Sequence, residues 1–202
     1  MIMDENKSDL SSFSRGASAG GPPPVGIQTT PRQIIFNDIG MHIDQNGVWH
    51  YRGSPINRLE LVKLFATVLR RDDDGAHWLV TPVEIAPVSV EDAPFTIVAM
   101  THEGEGHNQV IRLRTNIDVA VTADADHPLC LRESASTGEL TPYLTLDGGL
   151  QAKLNRPTYY DVVALGVEES LEQAHIFGIW SGGVFHPLGD ASDNEHEAKA
   201  GN

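Results

Sequence analysis

Three carboxylates, Glu84, Glu91 and Asp92, lie close together in the chain. Paired carboxylates can pass a proton as general acid and base, or offer hard oxygen ligands to Mg²⁺ or Ca²⁺. Their spacing matches no EF-hand, and the same residues serve equally as a turn cap before Pro94 and a salt-bridge partner to an arginine. Nine histidines give a second candidate. His102 and His107 flank Gly104-Glu105-Gly106, with Glu103 alongside and His127 further on as a third anchor or a lone base. Imidazole and carboxylate together suit Zn²⁺, but a glycine-rich loop lacks the rigid helical spacing of His-Glu-x-x-His. Ser181, in Trp-Ser-Gly-Gly, lacks the first glycine of a nucleophile elbow and fits a tight turn between strands. Cys130 sits in an apolar run and fits a small core residue. No phosphate-cradling loop is present, and no cofactor is called for.

The arginines carry a different chemistry. Arg58 and Arg156 occupy matching positions at the starts of two predicted helices, where a cation opposes the helix dipole. A carboxylate partner or an anionic ligand must offset that. Arg114 and Asn116, in Arg-Thr-Asn, can join them. Ion pairs pinning two halves of the molecule together account for these residues as well as a binding site does.

Two helices must position these groups. Asn57 is a good N-cap for the first, and Leu61, Val62, Phe65, Val68 and Leu69 repeat at helical spacing up to Arg70-Arg71 and the turn Asp72-Asp73-Asp74-Gly75. The second starts near Pro157 and carries Tyr160, Val163, Ala164, Val167 and Leu171 on one face. Most of the remainder reads as strand. Residues 42–44 and 48–51 flank Gln45-Asn46-Gly47 as a hairpin, and further strands are predicted at 78–80, 96–101, 109–114, 117–121, 143–146, 175–180 and 184–186.

Residues 1–32, rich in serine, glycine and proline, read as a disordered tail, and residues 190–202 as a frayed acidic one. Between them, residues 33–93 and 94–189 form two domains. Each half carries a hairpin, an Asn-Arg pair, a helix and a second hairpin, which suggests an internal repeat. The expected fold class is therefore α+β: two structurally related halves, each a curved antiparallel sheet or partial barrel packed on one main helix.

A net charge of −14 argues against nucleic acid and anionic membranes as partners and favours basic ones. A single cysteine rules out an internal disulfide and suits a reducing compartment. With no signal-like or membrane-length apolar run, the expected location is the cytoplasm.

Several motifs are specific enough to resemble a family. They are the stretch from Gly47 to Arg58 with Leu61-Val62-Lys63-Leu64-Phe65, then Leu79-Val80-Thr81-Pro82-Val83-Glu84, Val90-Glu91-Asp92-Ala93-Pro94-Phe95, Arg114-Thr115-Asn116, Asp126-His127-Pro128-Leu129, Pro142-Tyr143, Arg156 and Trp180-Ser181-Gly182-Gly183. Over about residues 38–189 the chain resembles bacterial proteins grouped as domain of unknown function family 1285. That resemblance implies a two-domain α+β fold with a groove between the halves and a regulatory or signalling role, with no activity assigned. Two positive charges the resemblance implies are missing: Ile85 follows Glu84, and no arginine stands near Asp147-Gly148.

The preferred expectation is a non-enzymatic regulatory module that binds a protein or small-molecule ligand in the groove between its domains. Arg58, Glu84, Glu91, Asp92, Arg114, Asn116, His127 and Arg156 are the candidate binding residues. The alternatives are a metal-dependent or carboxylate-based hydrolase using Glu84, Glu91, Asp92 and His127, and a structural subunit of a larger complex.

Overall fold

Local turn chemistry shapes much of this chain. In the computed structural model, which describes residues 12–133, 138–171 and 174–190, Asp44 folds the first hairpin. Its Oδ1 accepts the backbone N–H groups of Asn46 (2.8 Å) and Val48 (3.0 Å). That reverses the chain between β2 (Met41–Ile43) and β3 (Trp49–Tyr51). Asp72 repeats the device: its carboxylate accepts the Ala76 N–H at 2.7 Å and the Trp78 indole N–H at 2.8 Å. The chain therefore turns back as a hairpin of β5 (Leu69–Arg71) and β6 (His77–Val80).

The chain divides into two compact units between Pro94 and Phe95. In the first, β1 (Ile34–Ile35), β4 (Ser54–Pro55) and β7 (Glu84–Val90) complete a seven-stranded sheet in the order β4-β3-β2-β7-β6-β5, with β1 also on β7. β7 pairs antiparallel with β6 and parallel with β1 and β2. Pro87, which has no N–H to give the ladder, falls between the residues paired to β1 (Glu84, Ile85) and those paired to β2 (Ser89, Val90). Helix α1 (Leu59–Val68) buries Val62 and Phe65. Met41, Ile43, Trp49, Phe65, Leu69 and Ile85 are the largest buried side chains of this unit.

The second unit holds a six-stranded sheet and a three-stranded one. The larger runs β10 (Ala120–Thr122), β9 (Val110–Thr115), β8 (Phe95–Glu103), β13 (Gln151–Leu154), β12 (Leu140–Thr145), β11 (Leu129–Glu133). The smaller runs β14 (Val167–Leu171), β15 (Ala174–Ser181), β16 (Val184–Asp190). Helix α2 (Arg156–Val163) begins at Asn155, whose side chain accepts the Thr158 N–H at 2.9 Å. Ile97, Ile111, Leu113, Leu129, Tyr143, Leu144, Val162 and Ile179 are buried here.

The α+β expectation is overturned. The protein is mostly β, with three sheets and only two short α-helices among the described residues. Neither half is a sheet packed on one main helix. The reason lies at the helix C-termini, where apolar residues that keep a 3.6-residue period belong to strands. Leu69 pairs with Leu79 across the β5–β6 hairpin, and Val167 pairs with Gly178 across β14–β15. The order hairpin, Asn-Arg, helix, hairpin does recur, but with different wiring. In the first unit the later hairpin joins the same sheet, whereas β14–β16 form a sheet of their own. The first helix also starts one residue later than expected, at Leu59: Arg58, not Asn57, is its N-cap and makes no side-chain cap. Residues 191–202, expected as a frayed tail, lie outside the described residues.

Candidate functional site

The first unit contains a small cleft between α1 and the β6–β7 hairpin, with Phe13 and Ser14 of the N-terminal segment in its wall. Its floor is built by register and period. Leu79 on β6 stands opposite Ala86 on β7, and Phe65 comes down from the inward face of α1. Ile39, just before β2, completes an apolar surface whose four side chains are each at most 5% exposed. The small Ala86 leaves the room that a larger residue would fill. The rim is polar and is set by the turn Thr81-Pro82-Val83-Glu84. The Thr81 hydroxyl accepts the Glu84 N–H at 2.9 Å, and the Thr81 N–H donates to the Glu84 carbonyl at 2.8 Å. That fixes the Glu84 backbone and places its carboxylate at the mouth.

An N-terminal segment lies over this cleft. The Phe13 ring packs edge-on against Tyr51 (4.7 Å between centroids) and Phe65 (5.0 Å). The Tyr51 hydroxyl donates to the Phe13 carbonyl at 3.0 Å, Arg52 Nη2 donates to the Arg15 carbonyl at 2.9 Å, and the Ser14 hydroxyl donates to Glu84 at 2.8 Å. Further along, Ala19 bridges to Phe36.

The eight residues singled out from the sequence divide between the units. Glu84 and Glu91 lie at opposite ends of β7, roughly 23 Å apart at about 3.3 Å per extended residue. They do not form a carboxylate pair. Glu91 takes a different partner: its Oε1 is 3.0 Å from His42 Nε2, and its Oε2 accepts the Gln45 N–H at 2.9 Å. Asp92 follows at the turn into β8 and is half-buried. Arg58 is exposed at the start of α1, where its carbonyl accepts the Leu61 and Val62 N–H groups.

In the second unit, Arg114 pairs with Asp118 at 3.0 Å on the surface. Asn116 staples β8: its Oδ1 accepts the Thr96 N–H at 3.1 Å, and its own N–H donates to the Thr96 carbonyl at 2.8 Å. Arg156 is the exposed first residue of α2. His127 is held between two carboxylates, with Nδ1 3.1 Å from Asp124 Oδ1 and Nε2 3.4 Å from Asp147 Oδ1. Asp124 also accepts the N–H groups of Asp126 and His127. Burial pushes the Asp124 carboxyl up, but the His127 backbone N–H, the His127 ring and the Asp126 N–H outweigh it and hold the group below the usual carboxylate value.

Ser181 is fully buried. Its hydroxyl donates to the Ala123 carbonyl at 2.6 Å and accepts the Ile111 N–H at 2.9 Å. With Gln109 Nε2 donating to the Trp180 carbonyl and the Gly182 N–H donating to the Gln109 carbonyl, it ties the three-stranded sheet to the six-stranded one. The Trp-Ser-Gly-Gly motif is thus a joint between strands and presents no nucleophile to solvent. Among the described residues, no three His, Cys, Asp or Glu side chains converge closely enough to hold a metal ion. None of the described helices is long and apolar enough to cross a membrane.

Sequence reasoning missed Phe13, Tyr51, His42 and Asp124 as site-forming residues. Phe13 did leave a signal, a lone aromatic among serines in Ser11-Ser12-Phe13-Ser14. An aromatic ring in an otherwise polar segment is there to be packed against something.

The fold and these internal joints define a two-domain, β-rich protein with one short α-helix described in each unit. Residues 23–93 match the N-terminal domain of the DUF1285 family, described as a domain of unknown function, and residues 94–188 match its C-terminal domain, described as a protein of unknown function. The chain belongs to the DUF1285 family. It is 35% identical to a DUF1285 family protein from Silicibacter pomeroyi DSS-3 of known crystal structure, with a TM-score of 0.76 over 92% of this chain and 97% of that one. A DUF1285 family protein from Shewanella baltica OS155 is 31% identical, with a TM-score of 0.50 over 62% of this chain and 91% of that one. No curated protein matches the chain.

Proposed function

We propose that the chain is a non-enzymatic binding module of a regulatory kind, and that the cleft of its first unit is the binding surface. The observation that carries this reading is the combination of an apolar floor (Ile39, Phe65, Leu79, Ala86) with a carboxylate, Glu84, a surface that already takes the Phe13 ring and the Ser14 hydroxyl of the chain itself. Concave apolar sites with a few placed polar groups are where ligands and partner side chains bind. Two further observations support it. Ser181 and Asn116, residues of a type that could do chemistry, have their side chains engaged in backbone hydrogen bonds. The net charge of −14 favours partners with basic character.

Thermal unfolding of the full chain against a panel of metal ions, nucleotides, aromatic metabolites and short peptides tests the reading. A compound that binds only the folded state, at a hundred times its Kd, stabilises by about 2.7 kcal/mol. The expected result is a saturable rise in Tm with an aromatic compound or peptide, abolished by Glu84→Lys or Ala86→Phe. A rise that neither substitution touches would move the site elsewhere.

A second reading, a carboxylate-based hydrolase, rests on the orientation of His127 by Asp124, the arrangement of a general base and its orienting acid. It predicts esterase or phosphatase turnover that His127→Ala removes.

A further inference from the structure

The geometry points to a peptide as the occupant of this cleft: a segment carrying an aromatic residue followed directly by a hydroxyl residue. In this chain its own Phe13-Ser14 holds that place as a displaceable internal mimic. This inference rests on the cleft being the binding surface and adds the partner's chemistry and the means of regulation.

The contacts of the segment divide as those of a bound peptide do. Two of them read side chains: the Phe13 ring lies against Tyr51 and Phe65, and the Ser14 hydroxyl donates to Glu84. Two read only backbone: Tyr51 Oη donates to the carbonyl of Phe13, and Arg52 donates to the carbonyl of Arg15. Side-chain pockets confer specificity and main-chain hydrogen bonds confer affinity that is indifferent to sequence. Any segment presenting the same aromatic–hydroxyl pair meets the same four contacts.

The segment is also built to leave. Phe13 is half-buried, while the cleft's own Phe65, Leu79 and Ile39 are buried. Residues 12–16 form turns and belong to no helix or strand, and the backbone ladder that holds the segment starts only after them, at Ser18–Gly20 against Ile35–Asn37. They precede residue 23, where the match to the family's N-terminal domain begins, whereas the cleft-lining Ile39, Phe65, Leu79 and Ala86 lie within it. Arg52 holds the Arg15 carbonyl from a backbone φ of +49°, and its guanidinium lies 5.1 Å from the Tyr51 ring centroid. That φ, with +79° at Gly53, is the two-residue hairpin turn between Tyr51 and Ser54, so the β3–β4 hairpin fixes the backbone from which Arg52 reaches the segment.

The test titrates a labelled peptide of the sequence Ser-Phe-Ser-Arg-Gly-Ala-Ser-Ala-Gly, the chain's own residues 12–20, into the 202-residue chain and follows fluorescence anisotropy. A segment closed nine-tenths or more of the time lowers the apparent affinity for a competitor about tenfold or more. Phe13→Ala in the full chain is therefore expected to bind the peptide at least tenfold more tightly than the native chain. The same peptide with alanine for its phenylalanine should not bind. Circular dichroism establishes that Phe13→Ala is folded. Should it fail to fold, Ser14→Asp sets a like charge against Glu84, loosens the segment while leaving Ile39, Phe65, Leu79, Ala86 and Glu84 unchanged, and is expected to give the same gain. Peptide affinity no tighter in the folded variant than in the native chain overturns the internal-mimic inference. If aromatic compounds still raise Tm in a Glu84-dependent way, that failure leaves the binding reading standing. If neither the native chain nor the variant binds peptide or compound, both fall.

Discussion

Both hydrogen-bonding faces of the Ser181 hydroxyl are used in the interior. It donates to Ala123 and accepts from Ile111, two groups far from it in sequence. Truncation leaves a buried carbonyl and a buried N–H facing a methyl group, and each unpaired group costs about 1–3 kcal/mol. Ser181→Ala is expected to destabilise the protein by roughly 2–4 kcal/mol in urea denaturation. A loss under about 1 kcal/mol would mean that water reaches the joint. The sequence made the turn at Ser181-Gly182-Gly183 legible, because a Gly pair at positive φ is a local property. It could not show what the hydroxyl touches, since Ile111 and Ala123 arrive there only through the pairing of other strands. The same limit hid the partner of Glu91. His42 stands beside it because β2 lies parallel to β7, a pairing with no local signal. Arg114 and Asn116, by contrast, bond to groups within their own unit that a hairpin brings close.

At the scale of the element, hairpins were legible and helix ends were not. Asp44-Gln45-Asn46-Gly47 marked a turn, and the turn is there. Asp72-Asp73-Asp74-Gly75 also marked a turn. It is a hairpin turn, which converts the preceding Leu69-Arg70-Arg71 from a last helical turn into a strand. A short apolar stretch fits both periods, and only the partner strand decides. Asp72 is the residue that tips the choice. Burial raises its carboxyl, but hydrogen bonds with the Trp78 indole and with the Ala76, Val25 and Asp74 backbones hold it below the ordinary carboxylate value. Asp72→Ala removes the acceptor for both the Ala76 N–H and the buried Trp78 N–H, and is expected to cost about 2–4 kcal/mol. Asp72→Asn keeps an acceptor and is expected to cost less. Ala76 and Trp78 bond to different oxygens and an asparagine turns an NH2 group toward one of them, so equal costs for the two, measured by urea denaturation, would mean that both oxygens are needed. β7 was missed for a different reason. Pro87 argues against a central strand, and it is tolerated because neither β1 nor β2 pairs at its position.

Over the whole molecule, the pH dependence of stability separates into two windows. Burial, with the Arg71 cation second, pushes the His77 ring down to about 4, while Asp72 pulls the other way. Burial likewise lowers His186, which is 1% exposed and accepts the Leu129 N–H at Nδ1. For a histidine depressed by folding, the unfolded chain binds the extra proton first. Its contribution is fully present above about 6.5, the unfolded value, and is lost as pH falls from there toward the folded value. The depressed carboxyls of Asp44, Asp72 and Asp124 act lower down. Their contribution is present above about 3.9 and is lost as pH falls through their folded values. Opposing the first window is the net charge of −14, whose self-repulsion weakens as exposed groups take up protons. The balance is decided by burial. Exposed charges are screened over about 8–10 Å at ordinary salt, whereas the buried His186 ring and the half-buried His77 ring are screened less. The native chain is therefore expected to lose stability between pH 7.5 and pH 5 in urea denaturation at 0.15 M salt. His77→Gln, which cannot take up that proton, is expected to lose measurably less over the same interval. An identical loss in the variant would assign the slope to His186 or to the exposed groups, and a gain in the native chain would make relief of self-repulsion the larger effect.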